Sequence, residues 1–270
     1  MLGFAESFLA WLGSTGISAI LGLLLSLAFC KYFKPGYLLS FSIGVLFWVF
    51  VDIINDSGDL DVNASFSGGW EQIIIVFIFV AGVSAFFLLD RSVFSPEHEQ
   101  SGSLTIPILI AVAIGVHGLG EGAAYANVAA TTASNSLVVA FGGEAAGAAY
   151  ILHKFLESMA VGVGYVVFAG KRESGAGAAR DVGVLALAFI LPSVAAAGAG
   201  YFVAYDSTYF FAIGTGGFLY ALLRLAGPMF TTQRVSGSNG TLKMAAWLIG
   251  GLLCVYSAAL LHSYLPGTFA

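Results

Sequence analysis

Long apolar runs alternate with short polar interruptions along this chain, and the pattern repeats eight times. Each run has about the 20 residues that a helix needs to cross the hydrocarbon core of a bilayer. The runs read as helical spans over Phe4–Phe29, Gly36–Ile54, Trp70–Leu89, Leu104–Thr131, Gly143–Gly170, Val182–Ala204, Tyr209–Pro228 and Met244–Leu265. Clusters of Gly, Pro, Ser and charge divide them. A membrane β-barrel would show alternating segments of about 10 residues; these runs are longer and continuous. The expected fold is an all-α integral membrane protein with eight spans, one transmembrane domain over residues 1–270.

Composition sharpens that picture. The chain is 59% hydrophobic and only 9% charged, against roughly 25% charged residues in a soluble domain. Its 35 glycines suit close helix–helix approach in lipid. Cys30 and Cys254 are its only cysteines, which argues against a disulfide scaffold or a Cys-based zinc site. The first basic residue, Lys31, follows the first apolar run, so no basic segment marks a cleaved signal peptide. The expected surroundings are lipid, with no nucleic-acid partner.

The basic residues orient the spans, because loops rich in Lys and Arg stay in the cytoplasm. Lys31 and Lys34 follow span one, Arg91 follows span three, and Lys171, Arg172 and Arg180 follow span five. Arg224 lies near the end of span seven, with Arg234 and Lys243 beyond it. All fall on one side. Both termini are therefore expected outside a cell membrane. The outer loop after span two carries Asp56, Asp59 and Asp61, with Asp52 and Glu71 nearby. An acidic mouth raises the local cation concentration, and Asp52 and Asp56, one helical turn apart, are candidates for an entry path. The plainer reading is a solvated loop. Glu97-His98-Glu99 in a cytoplasmic loop likewise reads first as a solvated turn.

The chemistry concentrates in spans four and five. His117 is followed four residues later by Glu121, and His153 by Glu157. At that spacing each His and Glu share a helix face. Ionisable groups inside an apolar span are costly and usually functional. A polar loop near Thr132–Asn135 makes the two spans an antiparallel hairpin within residues 104–170. If it turns near Leu137, His117 lies level with Glu157, and Glu121 with His153. A shift of two residues would set His117 level with His153 instead. Either register gathers four groups near mid-span. One such pair alone reads as a structural hydrogen bond; two at one depth read as a site for a divalent transition metal. Imidazole and carboxylate suit zinc best, and iron, manganese, cobalt and cadmium are alternatives. Metal entry would displace protons. Glu144 is half a turn out of phase with His153, and His262 lies near an outer span end.

These motifs resemble those of the ZIP (Zrt-, Irt-like protein) family of divalent-metal transporters. The fourth-span pattern of that family, approximately His-Asn-x-x-Asp/Glu-Gly, is matched by His117-Gly118-Leu119-Gly120-Glu121-Gly122. Its fifth-span pattern, approximately His-Glu/Asp-x-Pro-Glu-Gly, is matched by His153-Lys154-Phe155-Leu156-Glu157-Ser158. Phe41-Ser42-Ile43-Gly44-Val45-Leu46 and Gly216-Gly217-Phe218-Leu219-Tyr220 resemble its second- and seventh-span patterns. The resemblance implies a ZIP-like bundle of eight spans with outward termini, metal ligands at His117, Glu121, His153 and Glu157, and a homodimer.

The departures are systematic. Many family members hold two metal ions. Here Gly118 stands where Asn is expected, Lys154 where an acidic residue is expected, and Leu191-Pro192 where Glu-Pro is expected. The resemblance with these departures implies one ion. Lys154 follows His153 by about 100° around the helix and is expected to border the site. At about 6 Å and an effective dielectric near 20, its attraction to a carboxylate is roughly 3 kcal/mol. It would keep a carboxylate ionised and repel a second cation. The motif prolines are replaced by Gly120 and Leu156, so both helices are expected to run straighter, although Gly118, Gly120 and Gly122 still permit local flexibility.

The leading expectation is a transporter, not an enzyme, moving one zinc-like ion toward the cytoplasm without an organic cofactor. No phosphate-binding loop is present, so the metal gradient would drive it. Two alternatives stand beside it. One is an intramembrane zinc-dependent hydrolase, with Glu121 or Glu157 as general base. The other is a non-transporting metal-binding membrane protein.

Overall fold

The computed structural model describes residues 2–56, 69–93, 103–132, 136–170, 176–203 and 206–263. Among these residues all regular structure is helical. The helices are α1 (Phe4–Tyr32), α2 (Pro35–Asp56), α3 (Gly69–Val93), α4 (Thr105–Gly115), α5 (Gly118–Thr131), α6 (Leu137–Ala140), α7 (Glu144–Ala169), α8 (Ala176–Gly200) and α9 (Ser207–Ser263). Eight stretches are long and apolar enough to cross a membrane: Phe4–Tyr32, Pro35–Ile54, Gly69–Arg91, Thr105–Thr131, Ala146–Ala169, Gly177–Gly200, Ser207–Thr231 and Asn239–Ser257. They correspond one for one with the expected spans and are numbered one to eight below.

Local chemistry sets the breaks. Phe33 is extended, and α2 opens on Pro35, where a missing N–H leaves no hydrogen bond unmade. Gly142 and Gly143 have φ of 79° and 113°, values that L side chains rarely adopt; they turn the chain into α7. The residues between spans seven and eight, expected as a polar loop, are helical within α9, yet Met229 and Phe230 line one cavity with Met244, Ala245 and Leu248, so the helix folds back on itself there. No proline falls between Met229 and Leu265, so no residue there forbids the helical hydrogen bond.

The spans associate as four parallel pairs. Span one lies along span five, with Thr15 bonded to Tyr150 and Ser158 to the Ser18 carbonyl. Span two lies along span eight, where Gly44 meets Leu248 and Trp48 meets Tyr256. Span three lies along span seven, from Glu71–Tyr209 to Asp90–Arg224. Span four lies along span six, from Gly115–Phe189 to Ala126–Gly200. Partners are always both odd or both even, as a chain that crosses one layer back and forth requires. Glycine permits the close approach. A Cβ on Gly44 would collide with the Leu248 carbonyl, and one on Gly251 with the Phe41 carbonyl. Gly22 and Gly162 play the same reciprocal part between spans one and five.

Spans one, four, five and six enclose the polar centre. Span seven closes it from the other group of spans: Gly214 presses on the His117 backbone, and the Phe218 ring stands edge-on to the imidazole at 5.2 Å.

Candidate metal centre

Span four does not run straight through its motif. The helix breaks at Val116 and His117, where Leu119 and Gly120 donate their N–H groups to carbonyls three residues back, each at 3.0 Å. This is a local tightening of the 3₁₀ kind, frequent at functional hinges. Proline is not needed for it. Gly115, Gly118, Gly120 and Gly122 weaken the helix, and His117 Nδ1 donates to the Ile114 carbonyl. That bond fixes the tautomer and leaves the Nε2 lone pair facing the cluster.

The four expected ligands converge, in the first of the two registers. His117 Nε2 lies 3.1 Å from Glu157 Oε1, and His153 Nε2 lies 2.8 Å from Glu121 Oε1. The diagonal contacts on each helix are 3.6 Å from His117 to Glu121 and 3.7 Å from His153 to Glu157. Two imidazole nitrogens and two carboxylate oxygens thus form a ring with edges of 2.8–3.7 Å. Metal–ligand bonds near 2.05 Å in a tetrahedron place all six donor pairs about 3.3 Å apart. The four adjacent pairs straddle that spacing, while the ring is wider across. The donor atoms of His117, Glu121 and His153 all lie within 4.8 Å of one another, and Glu157 falls outside that group.

Lys154 is central rather than peripheral. Its Nζ lies 2.7 Å from Glu121 Oε2, 2.9 Å from Glu157 Oε2 and 2.7 Å from His117 Nε2. The carboxylates therefore divide their labour: each Oε1 faces the imidazoles and each Oε2 faces the ammonium. The Glu121 contact is an ion pair without hydrogen-bond angles, and Glu157 Oε1 is buried with no hydrogen-bond donor. Glu157 Oε1 and His117 Nε2 thus stand 3.1 Å apart in the buried centre, an arrangement that a shared proton or a cation would satisfy. At these distances the Coulomb attraction to each carboxylate is about 6 kcal/mol at an effective dielectric near 20, before the loss of hydration is counted.

The exposure of the centre is uneven. His117 and Glu157 are fully buried, whereas the side chains of Glu121 and His153 are 12% and 27% exposed. A cavity of about 270 Å³ reaches Glu121 from the hairpin end of spans four and five, and its walls include Trp11, Tyr125, Phe141 and Tyr150. Trp11 stacks on both Tyr125 and Tyr150 at 4.5 Å and donates to Ser193. The Lys154 ammonium lies 5.8 Å from the Tyr150 ring and 5.7 Å from that of Phe189, within cation–π range.

Other residues singled out in the sequence fall elsewhere. Leu191 is 64% exposed and does not line the centre; from span six, the Phe189 ring lies 5.7 Å from the Lys154 ammonium and Ser193 accepts from Trp11. Gly118 is packed so closely on Ser193 that a Cβ would lie 2.7 Å from the Ser193 Cβ, which leaves no room for an asparagine. Asp52 is exposed at the far end of α2, and Glu144 is exposed at the start of α7. The side chains of Asp56 and His262, the loop carrying Asp59 and Asp61, and Glu97-His98-Glu99 lie outside the described residues. The sequence reading passed over Tyr150, although it sits three and four residues before His153 and Lys154 and so shares their side of the helix. Trp11, Ser193 and Phe189 carried no local signal.

No protein-family model and no curated protein matches this chain. The functional reading therefore rests on the geometry of the centre.

Proposed function

We propose that this chain is a ZIP-like membrane transporter that moves a divalent transition metal toward the cytoplasm through a single His/Glu site. The observation that carries this reading is the ring of two imidazole nitrogens and two carboxylate oxygens at mid-span, with adjacent donors 2.8–3.7 Å apart. Mixed nitrogen and oxygen donors suit zinc first. Lys154 fills the flank of both carboxylates, which leaves one ion position, not two. The aromatic cavity reaches the site from the hairpin end of spans four and five, the outer end in the orientation set by the basic loops. The matched parity of the paired spans agrees with that alternation. Exchange of access would come from movement of the group around spans four and five against the group of spans two, three, seven and eight.

The test is metal uptake into liposomes that carry the purified chain and a metal-sensitive dye. Zinc or cadmium flux is expected from the wild type and is expected to vanish in Glu157→Ala. Absence of protein-dependent flux for every divalent metal tried would defeat the proposal. A second reading, the intramembrane metal hydrolase, has in its favour the cavity that meets Glu121. Metal binding retained without flux would move the weight to it.

A further inference from the structure

The centre is asymmetric in a way that orders events. One rung, His153 with Glu121, is partly exposed beside the aromatic cavity; the other, His117 with Glu157, is sealed. An ion that arrives through the cavity meets the first rung before the second. Lys154 contacts three acceptors, and two of them are the Oε2 atoms that the donor ring does not use. The third is His117 Nε2, at 2.7 Å. That nitrogen is the one atom that both the ammonium and a bound ion need.

Resting on the metal reading above, we infer that Lys154 is a latch on His117, and that capture has two steps. The ion lands on His153 and Glu121 while His117 Nε2 is still held by the ammonium. It closes onto His117 and Glu157 only when that hydrogen bond breaks. Lys154 keeps Glu157 Oε2 as a partner on its own helix, and the Tyr150 and Phe189 rings lie within 6 Å of its Nζ. The displaced ammonium therefore has a place to rest without leaving the protein. A tethered +1 group is a strong competitor against monovalent ions, which gain no more Coulomb energy than it does. A divalent ion gains twice as much from each carboxylate, so the latch selects for charge. Lys154 acts here as a positioning residue rather than a ligand.

The test mixes the detergent-solubilised full chain rapidly with cobalt(II) and follows two signals. Quenching of Trp11 fluorescence, assigned with Trp11→Phe, reports arrival in the cavity. Visible absorption reports closure, because cobalt absorbs far more strongly with four protein donors than with its water shell. Quenching is expected first and absorption later. His153→Ala should slow the quenching by about tenfold, whereas His117→Ala should leave its rate alone and remove the absorption step. Lys154→Met should speed the absorption step about tenfold, the scale of one hydrogen bond to a charged group. Signals that rise together in the wild type, or equal impairment of the two histidine variants, would overturn the order of capture. An absorption step unchanged or slower in Lys154→Met would overturn the latch. Should that variant not fold, Lys154→Gln replaces it under the same criterion. Failure of the wild type to bind cobalt, zinc or cadmium at equilibrium is a separate result, and it would remove the metal reading itself.

Discussion

Two helix interfaces in this chain face the same apolar surroundings and are built from opposite materials. Between spans four and five the contact is a knot of two imidazoles, two carboxylates and an ammonium. Between spans two and eight it is glycine-lined backbone, with Gly44 against Leu248 and Gly251 against Phe41, flanked by apolar rings such as Trp48 and Tyr256. The second interface is what packing in lipid calls for: small residues, close approach and many dispersion contacts. The first is a poor way to join two helices. Ion pairs removed from water must first recover their lost hydration, and well-packed apolar side chains often do as well or better. Packing alone thus gives no reason for the charged knot, and the glycine pairs show that this chain can join helices without one. The contrast points to chemistry rather than stability as its use.

The contrast can be broken by experiment. The largest effect is expected from Glu157→Ala, which strands the buried Lys154 ammonium beside His117. Destabilisation of about 3–5 kcal/mol should accompany loss of metal binding, measured by denaturation in detergent and by equilibrium cadmium titration. Gly251→Leu should come next, at about 3 kcal/mol from overpacking against the Phe41 carbonyl. Its surviving folded fraction should bind cadmium with unchanged affinity. A glycine variant that lost affinity as well would show that the two interfaces are coupled. Tyr150→Phe removes the 2.6 Å bond to Thr15 and should destabilise by about 1 kcal/mol, with metal affinity altered less than in any ligand variant. The smallest change belongs to Leu191→Ala. This exposed side chain should be worth under about 0.5 kcal/mol, and cadmium stoichiometry should stay at one. A second bound cadmium in that variant would contradict its placement away from the centre.

Much of this was legible in the sequence, and the limits have physical causes. Span length follows from hydrocarbon thickness, so all eight apolar helices could be read from composition and punctuation. The register of spans four and five was legible because His117 and Glu157 are equally far from Leu137, as are Glu121 and His153. Lys154 was placed at the border because a helical wheel gives the direction of Cβ and not the path of four methylenes, which here fold inward. Leu191 was placed beside the site by alignment to a motif, whereas the rotation of span six is set by its glycine contacts with span four, which a motif does not encode. The break at His117 was half legible: Gly118, Gly120 and Gly122 marked local flexibility, but the bond from the His117 side chain to its own helix left no trace in the sequence. Together they do the work of a proline.

The shared depth of the knot also bears on how the chain reaches the membrane. Glu121 leaves the ribosome 33 residues before Lys154. At 5–20 residues per second, that is a delay of roughly 2–7 s. During that interval span four carries an unneutralised carboxylate at its centre, and an ionised residue there opposes insertion by roughly 2.5–3.5 kcal/mol. Span five, alone, would bring a cation and an anion of its own. In the joined hairpin both carboxylates share the one ammonium, so Glu121 gains a partner although the three groups still sum to one negative charge. The Glu121–Lys154 pair thus favours entry of the two spans into lipid together over entry of span four alone.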